Sequence, residues 1–255
     1  MRLHEHLRLV REFAEGHLRD DEDHDYHIRL KLEHSMRVLD NGVHILREEG
    51  ITGRTADLAT MAALYHDIGR FPQFDRWGTY RDADSVNHGR MGVLTLRRLD
   101  LGDDFTPREL RLIRAAVGLH NAKEVNPALR DPLATLVQVT RDADKADIFH
   151  VILDHLSQPH NPNRVVIHKL KEDPARFTPA VLETVSSGMT CDYASLRYAN
   201  DFVLLIVGWV FSLSYRATER LLLSRGLVDK AFGLLPEDAG IDRLRTKVMA
   251  HLQRP

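Results

Sequence analysis

The sequence has little of several features that would define a class of protein. One cysteine, Cys191, occurs in 255 residues. It excludes an intramolecular disulfide framework and a cysteine-based zinc site, and it fits a reducing compartment. The 35 Lys and Arg residues nearly balance 37 Asp and Glu residues, for a net charge of -2. Composition therefore predicts neither a stable nucleic-acid partner nor attraction to an anionic membrane.

Long apolar runs are also missing. The longest, from Phe202 to Phe211, contains Gly208 and is too short to cross a bilayer. The first ten residues carry two His and two Arg without the apolar stretch of a signal peptide. We therefore predict a cytoplasmic protein with no membrane partner. Its composition, 43% hydrophobic and 28% charged, is ordinary for a globular chain.

Strand alternation, glycine-rich nucleotide loops and internal repeats are absent from the sequence as well. What the sequence does contain is apolar residues at helical spacing, beginning with Leu3, Leu7, Val10 and Phe13. The predicted fold class is therefore all-α. After the first helix, we expect helices over about 26–49, 55–67, 88–101, 106–121 and 131–149, a long apolar helix over 193–223 and a final helix near 241–252.

The stretch Leu64 to Arg70, Leu-Tyr-His-Asp-Ile-Gly-Arg, sets two metal-ligand residue types side by side. We predict His66 and Asp67 in the last turn of an apolar helix that Gly69 closes in the left-handed conformation. Adjacent helical side chains diverge, but a carboxylate has two oxygens and can bridge two ions. The pair is therefore either the nucleus of a dinuclear centre or a core histidine beside a helix-ending aspartate.

Four further positions could complete such a centre. His34 lies on the apolar face of the second helix, and His88 begins the helix after the motif. His120 ends a helix that starts with the capping-box pattern Thr-Pro-Arg-Glu, and Asp144 lies among core-forming residues of the next helix. Helical bundles build metal sites in this way, with one ligand from each helix beside its apolar face.

Two polar segments allow both a functional and a structural interpretation. Residues 19–27 include His24, Asp25 and His27, which could bind a metal, but such a charged run is more typical of a solvated surface loop. Residues 70–87 show no helical or strand period and interleave arginines with aromatic residues. We interpret them as a long loop, either the mouth of a site for an anionic substrate or a surface loop held by its aromatics.

These positions together resemble the signature of the HD-domain superfamily, which is a His, a His-Asp pair and a later Asp on successive helices. The resemblance covers about residues 26–150 and also rests on Asp-Ala-Asp-Lys-Ala-Asp at 142–147. It implies an HD-domain helical bundle with its metal-binding core at about 26–150. A C-terminal helical extension at about 151–255 would belong to the same single domain, 1–255. The segment 69–89 is similar to an uncharacterised branch, so the resemblance names no substrate.

The extra histidines match the dinuclear subset of that superfamily. The resemblance implies two divalent transition-metal ions, with Fe or Mn favoured and Ni, Co or Zn also compatible with imidazole and carboxylate ligands. Asp67 would bridge them. One ion would be held by His34, His66 and Asp144, and the other by His88 and His120.

The function that this resemblance implies is a metal-dependent phosphohydrolase. It would cleave a phosphomonoester or phosphodiester of a nucleotide or another small phosphorylated metabolite through a hydroxide bridging the two ions. Asp67 and Lys145 would be catalytic, and Arg70, Arg81 and Lys145 would bind the substrate phosphate. The structural alternatives are surface solubility for Arg70 and a salt bridge to a neighbouring aspartate for Lys145.

Other interpretations remain open at this stage. The same ligand set also resembles HD-type mixed-valence di-iron oxygenases, and a non-catalytic nucleotide-sensing module would have similar residues. Asp142 and Asp147 are candidates to orient the ligating imidazoles. Four later histidines lie before, within or after a Pro-rich connection around Pro159 and Pro162. We interpret them as structural or surface residues: His150, His155, His160 and His168.

Overall fold

The computed structural model describes residues 1–158 and 170–254, and it confirms the all-α fold class. Pro159, His160, Pro162 and His168 lie outside the described residues. Apart from an isolated bridge between Lys171 and Tyr198, the described residues contain no β-structure. Their helices are α1 (Leu3–Glu15), α2 (Glu22–Glu48), α3 (Gly53–Tyr65), α4 (Arg70–Trp77), α5 (His88–Leu96), α6 (Pro107–Leu119), α7 (Leu133–Ser157), α8 (Pro179–Ser186), α9 (Ala199–Gly208), α10 (Arg216–Ser224), α11 (Leu227–Leu234) and α12 (Ala239–Leu252).

The chain divides into two compact units, Met1–Asp144 and Lys145–Pro255. All six predicted metal ligands belong to the first unit. The single-domain organisation and the boundary near residue 150 stay predictions. Among the described residues, no helix combines the length and apolarity needed to cross a membrane.

Helix α3 lies at the centre of the first unit, because every residue from Leu58 to Tyr65 is buried. It packs against α2 and α6, whose buried side chains include Val38 and Ile113. Each large side chain removed from water in this way contributes about 1.5–3 kcal/mol. The C-terminal end of α3, where His66 and Asp67 follow, is therefore fixed inside the core.

Helix α6 begins as its sequence predicts. Thr106 accepts a hydrogen bond from the backbone N–H of Glu109, the Glu109 carboxylate accepts one from the backbone N–H of Thr106, and Pro107 takes the first helical position. This reciprocal capping satisfies two donors that a helix N-terminus leaves unpaired. The predicted capping box is confirmed, and it sets the start of the helix that leads to His120.

The prediction of one long loop over residues 70–87 was wrong in its first half, which forms helix α4. Phe71 and Phe74 lie one helical turn apart and are buried, which gives this two-turn helix an apolar face. Gly78 ends it with a φ of +61°, a conformation that favours glycine. Gly69, which was expected to adopt that conformation, instead has a φ of -73°.

The prediction of a surface loop over residues 19–27 was also wrong, because α2 begins inside this tract. The side chain of Asp21 accepts a hydrogen bond from the backbone N–H of His24 and so caps the helix. Acidic residues in the first turn then lie near the positive end of the helix dipole. Asp25, 4% exposed, accepts a hydrogen bond of 2.9 Å from the backbone N–H of Arg19.

In the second unit, the predicted apolar helix over 193–223 is interrupted. It consists of a 3₁₀ turn (Tyr193–Ser195), α9, a second 3₁₀ turn (Trp209–Ser212) and α10. The buried Asp201 causes the late start of α9, since its carboxylate accepts hydrogen bonds from the backbone N–H groups of Arg197 and Tyr198 at 2.8 and 3.0 Å. The final helix is found where it was predicted, as α12.

Candidate metal centre

Six side chains that the sequence singled out come together in the first unit. His34 lies within α2, His66 and Asp67 directly follow α3, and His88 is the first residue of α5. All are nearly buried, with His66 0% and His88 8% exposed. The two remaining members of this group are His120, which directly follows α6, and Asp144 in α7.

One group of donor atoms surrounds the Nε2 atom of His66. This atom lies 3.2 Å from His34 Nε2 and 3.7 Å from Asp144 Oδ1. His34 Nε2 lies 3.2 Å from the same carboxylate oxygen. Asp67 completes the group with its Oδ2 atom, 3.5 Å from His34 Nε2 and 3.6 Å from His66 Nε2. We call these residues the first ligand group.

A second ligand group consists of His88, His120 and the other oxygen of Asp67. The Nε2 atoms of the two histidines are 3.1 Å apart. Asp67 Oδ1 lies 3.7 Å from His88 Nε2 and 3.8 Å from His120 Nε2. The two oxygens of one carboxylate therefore face different pairs of imidazoles, which is the geometry required of a bridging ligand.

These spacings fit metal ions. Transition metals lie about 2.0–2.2 Å from nitrogen and oxygen ligands, so neighbouring donors around one ion are about 3.0–3.6 Å apart. The chemistry of the imidazoles agrees. His120 Nδ1 lies 2.7 Å from the carbonyl oxygen of Val117, and His88 Nδ1 lies 2.8 Å from Asp82 Oδ2. Each ring donates its Nδ1 proton to one of these oxygens, so each Nε2 atom carries a lone pair. The two lone pairs face each other and would repel unless a cation lay near them.

The protonation states of these histidines also suit metal binding. Burial lowers the pKa of His88 to about 4, and the charge of Arg70 adds to the effect. Burial lowers the pKa of His120 to about 4 as well, with His66 adding to it. Both rings are therefore neutral at pH 7, which is the form that binds a metal.

The carboxylates remain charged despite their surroundings. Burial by itself would raise the pKa of Asp67, but the nearby Lys31, His66 and Arg70 hold the pKa well below its ordinary range. The pKa of Asp144 is lowered in the same way, since hydrogen bonding and charge from the neighbouring histidines outweigh its burial. Two carboxylate charges are thus maintained beside the neutral rings of His88 and His120.

Two cations lie beside the bridging carboxylate. Lys31 Nζ is 2.8 Å from Asp67 Oδ2, and Arg70 Nε is 3.4 Å from Asp67 Oδ1. Both cations also lie over the ring of Tyr80, at 5.4 and 5.7 Å from its centroid. Arg70 was predicted from the sequence as a phosphate-binding residue, whereas Lys31 was not. Its position three residues before His34 on one helix was the available signal, because residues at that spacing share a helix face.

The other two predicted phosphate-binding residues make contacts elsewhere. Arg81 pairs with Asp84 at 2.8 Å, and its side chain is 40% exposed. Lys145 Nζ donates to the hydroxyl of Ser212 at 2.8 Å within the second unit. Asp142 and Asp147, the candidate orienting residues, are 0% and 1% exposed. Their effect on the imidazoles stays a prediction.

Two glycines allow the turn after α3, helix α5 and helix α6 to pack closely beside the candidate metal centre. A Cβ atom at Gly69 would lie 2.3 Å from the backbone nitrogen of Gly92 and 2.7 Å from the carbonyl oxygen of His88. A Cβ at Gly92 would lie 2.8 Å from Val117 Cγ1. The turn after α3 can therefore touch α5, and α5 can touch α6, only because these positions lack side chains.

An arginine on α7 holds the end of α6. Arg141 donates to the carbonyl oxygens of His120 and Ala122, at 2.7 and 2.5 Å. These carbonyls follow the last turn of α6 and would otherwise lack an intrahelical partner. The ring of His120 is thus fixed by contacts on its own helix and by Arg141 in the next one.

The protein is thus an all-α protein in which imidazoles and carboxylates from successive helices meet at a candidate metal centre. The family model of the HD domain matches residues 32–148, so this region of the chain is an HD domain. The predicted membership is confirmed, and it implies an enzyme of the metal-dependent hydrolase type. Comparison with curated proteins and with solved structures gives no match.

Proposed function

We propose that this protein is a metal-dependent phosphohydrolase that cleaves a phosphomonoester or phosphodiester of a nucleotide or another small phosphorylated metabolite. The observation that carries the proposal is the position of Asp67. Its two oxygens face two histidine pairs, while Lys31 and Arg70 lie beside the same carboxylate. A site for two cations thus adjoins a site for an anion, as hydrolysis of a phosphate ester requires.

In this proposal, the first ligand group would hold one ion, the second would hold the other, and Asp67 would contribute one oxygen to each. Fe or Mn suits the four imidazoles and two carboxylates, whereas Mg and Ca prefer oxygen ligands. When bound, such a pair of ions supplies an activated water nucleophile and stabilises the charge that develops on the phosphate. The residues of the chain hold the ions in place, and burial of the histidines keeps them neutral.

The substrate phosphate is assigned to Lys31 and Arg70. Both cations contact the Asp67 carboxylate, and ligation of its oxygens would free their donors for nonbridging phosphate oxygens. Arg70 is held in place because it also donates to the side chain of Gln73 at 2.8 Å and to the carbonyl of Tyr80. Lys31 takes the role that the sequence analysis assigned to Lys145.

An assay of the full-length protein tests the proposal. Protein loaded with Mn²⁺ or Fe²⁺, with metal content measured, is offered p-nitrophenyl phosphate, bis(p-nitrophenyl) phosphate and a panel of nucleotides. We expect turnover of at least one ester, lost after chelation and restored by the metal. Protein of full metal content that hydrolyses nothing would refute the proposal. Substrate-dependent O₂ consumption by the iron form, without phosphate release, would support the oxygenase alternative instead.

A further inference from the structure

One carboxylate outside the ligand set collects an unusual number of donors. Asp82 begins a 3₁₀ turn (Asp82–Asp84) between α4 and α5. Its two oxygens lie 2.9 and 2.8 Å from His88 Nδ1, and Oδ2 accepts from the backbone N–H of His88 at 3.3 Å. Further donors are Arg70 Nη1 at 3.2 Å, Gln73 Nε2 at 3.1 Å and Asn121 Nδ2 at 3.3 Å.

Gln73 fixes the position of this carboxylate. The side chain of Gln73 is 0% exposed, and its amide nitrogen also donates to Ser85 Oγ at 2.8 Å and to the carbonyl of Val86 at 2.9 Å. A buried amide with several partners constrains the backbone around it. The segment that carries Asp82 is therefore tied to α4 rather than left as an open loop.

The three histidines that follow or begin a helix differ in what holds their Nδ1 atom. His66 Nδ1 lies 2.8 Å from the carbonyl of Ala63, and His120 Nδ1 lies 2.7 Å from the carbonyl of Val117. These two rings are oriented by backbone three residues earlier in their own helices. Among the three, only His88 has its Nδ1 atom beside side chains from outside its own helix, those of Asp82 at 2.8 Å and Asn121 at 3.2 Å.

We propose that Asp82 is a positioning residue for the second ion. It fixes the proton of His88 on Nδ1 and so directs the Nε2 lone pair toward His120 and Asp67. Carboxylates that accept a hydrogen bond from a ligating imidazole orient the ring and make it a stronger ligand. This inference rests on the proposed function, because it concerns the two-ion form of the same site.

The same carboxylate also connects the second ion to substrate binding. Arg70 lies between two carboxylates, with Nη1 3.2 Å from Asp82 Oδ1 and Nε 3.4 Å from Asp67 Oδ1. Loss of Asp82 would therefore disturb a metal ligand and a phosphate-binding cation together. The first ion would be spared, since its ligands belong to α2, α7 and the end of α3.

The test compares Asp82→Asn with Asp84→Asn in the full-length protein. Asp84 lies in the same 3₁₀ turn but pairs with Arg81, and its side chain is 43% exposed. Calorimetric titration with Mn²⁺ gives the affinity of each ion. We expect Asp82→Asn to weaken the second ion about 10–100-fold while the first is unchanged. Asp84→Asn should bind both ions as the wild type does.

A spectroscopic signal separates positioning from a general structural role. Two adjacent Mn²⁺ ions give a spin-coupled EPR spectrum, whereas a single ion gives an uncoupled one. At equal metal concentration, Asp82→Asn should show the uncoupled signal of a single ion, whereas Asp84→Asn should keep the coupled signal. Thermal unfolding and circular dichroism of the metal-free variants check folding, and Asp82→Glu, which keeps the charge, should restore part of the affinity.

Three outcomes would overturn the inference. Unchanged affinity for both ions in Asp82→Asn would show that His88 needs no support from this carboxylate. Equal weakening of both ions would show a structural role only. Wild-type protein that binds fewer than two Mn²⁺ ions would refute the two-ion form of the proposed function, and the inference with it.

Discussion

The two ligand groups are built in different ways. The first takes His34 from the interior of the 27-residue helix α2 and Asp144 from the 25-residue helix α7. The second takes His88 and His120 from helix ends, supported by Asp82 and by close glycine contacts. Residues inside a long helix are held by hydrogen bonds on both sides, whereas helix ends open more readily. We therefore expect the first ion to bind more tightly than the second.

Replacement of the shared ligand should have the largest effect. Asp67→Ala removes the bridging carboxylate from both groups, so we expect loss of both ions and of hydrolysis to background. Metal content after dialysis and the rate of ester hydrolysis measure this. Asp57→Ala is the control, because Asp57 is an aspartate on α3 whose side chain is 39% exposed. Two tightly bound ions in Asp67→Ala would show that the groups are independent.

Removal of one histidine from each group should separate the two ions. We expect His34→Ala to lose the first ion and all activity, since it removes one of the two imidazoles of the first ligand group. His88→Ala should keep about one equivalent and lose mainly the second ion. Metal analysis of both variants, prepared side by side, decides the matter. If each variant lost both ions equally, the sites would be interdependent and the difference between the groups would disappear.

Replacement of Lys31 or Lys145 should have a smaller effect, and it tests which of the two binds the substrate phosphate. A hydrogen bond from a charged group contributes about 1.5–3 kcal/mol, and about 1.4 kcal/mol corresponds to a factor of ten. Lys31→Ala should therefore lower kcat/KM about 10–100-fold, mainly through KM. Lys145→Ala should cost less, since its ammonium group contacts Ser212 in the second unit. A larger loss of kcat/KM in Lys145→Ala than in Lys31→Ala would instead assign phosphate binding to Lys145.

The smallest expected effect concerns stability. Gly69→Ala forces a Cβ atom against the backbone of α5, which cannot move away as a flexible side chain could. Such overpacking costs about 1–3 kcal/mol. Thermal unfolding should show this loss, with weaker binding of the second ion. Gly233→Ala is the control, because the added Cβ would meet no atom within 4 Å apart from its chain neighbours and the backbone of its own helix. Equal stability of the two variants would contradict the role given to glycine packing.

Much of the fold and the ligand set could be predicted because local patterns carry them. Apolar periodicity predicted the all-α class, and a His-Asp pair after an apolar helix stood out within seven residues. The helix over residues 70–77 was missed because two turns hold too few apolar positions to show a period. The break after α9 depends on Leu213, whose extended backbone no pattern in the apolar run revealed.

The supporting residues could be predicted less well. Lys31 shares a helix face with His34, so its place beside the site could in principle have been predicted from the sequence. Asp82 was not, because its role depends on hydrogen bonds to Arg70, Gln73 and Asn121, which are remote in sequence and meet only in the folded chain. Lys145, which is adjacent in sequence to Asp144, donates a hydrogen bond to Ser212, and its role in phosphate binding stays a prediction.

The hydrogen bonds from the rings of His66 and His120 to the carbonyls of Ala63 and Val117 place both rings at helix ends. Each ring closes the carboxyl end of its own helix, so two helix termini meet at the centre. A helix terminus of this kind carries a partial negative charge on the order of half an elementary charge. The peptide backbone alone thus makes this part of the protein attractive to cations. Metal uptake should in turn slow hydrogen exchange at the last turns of α3 and α6.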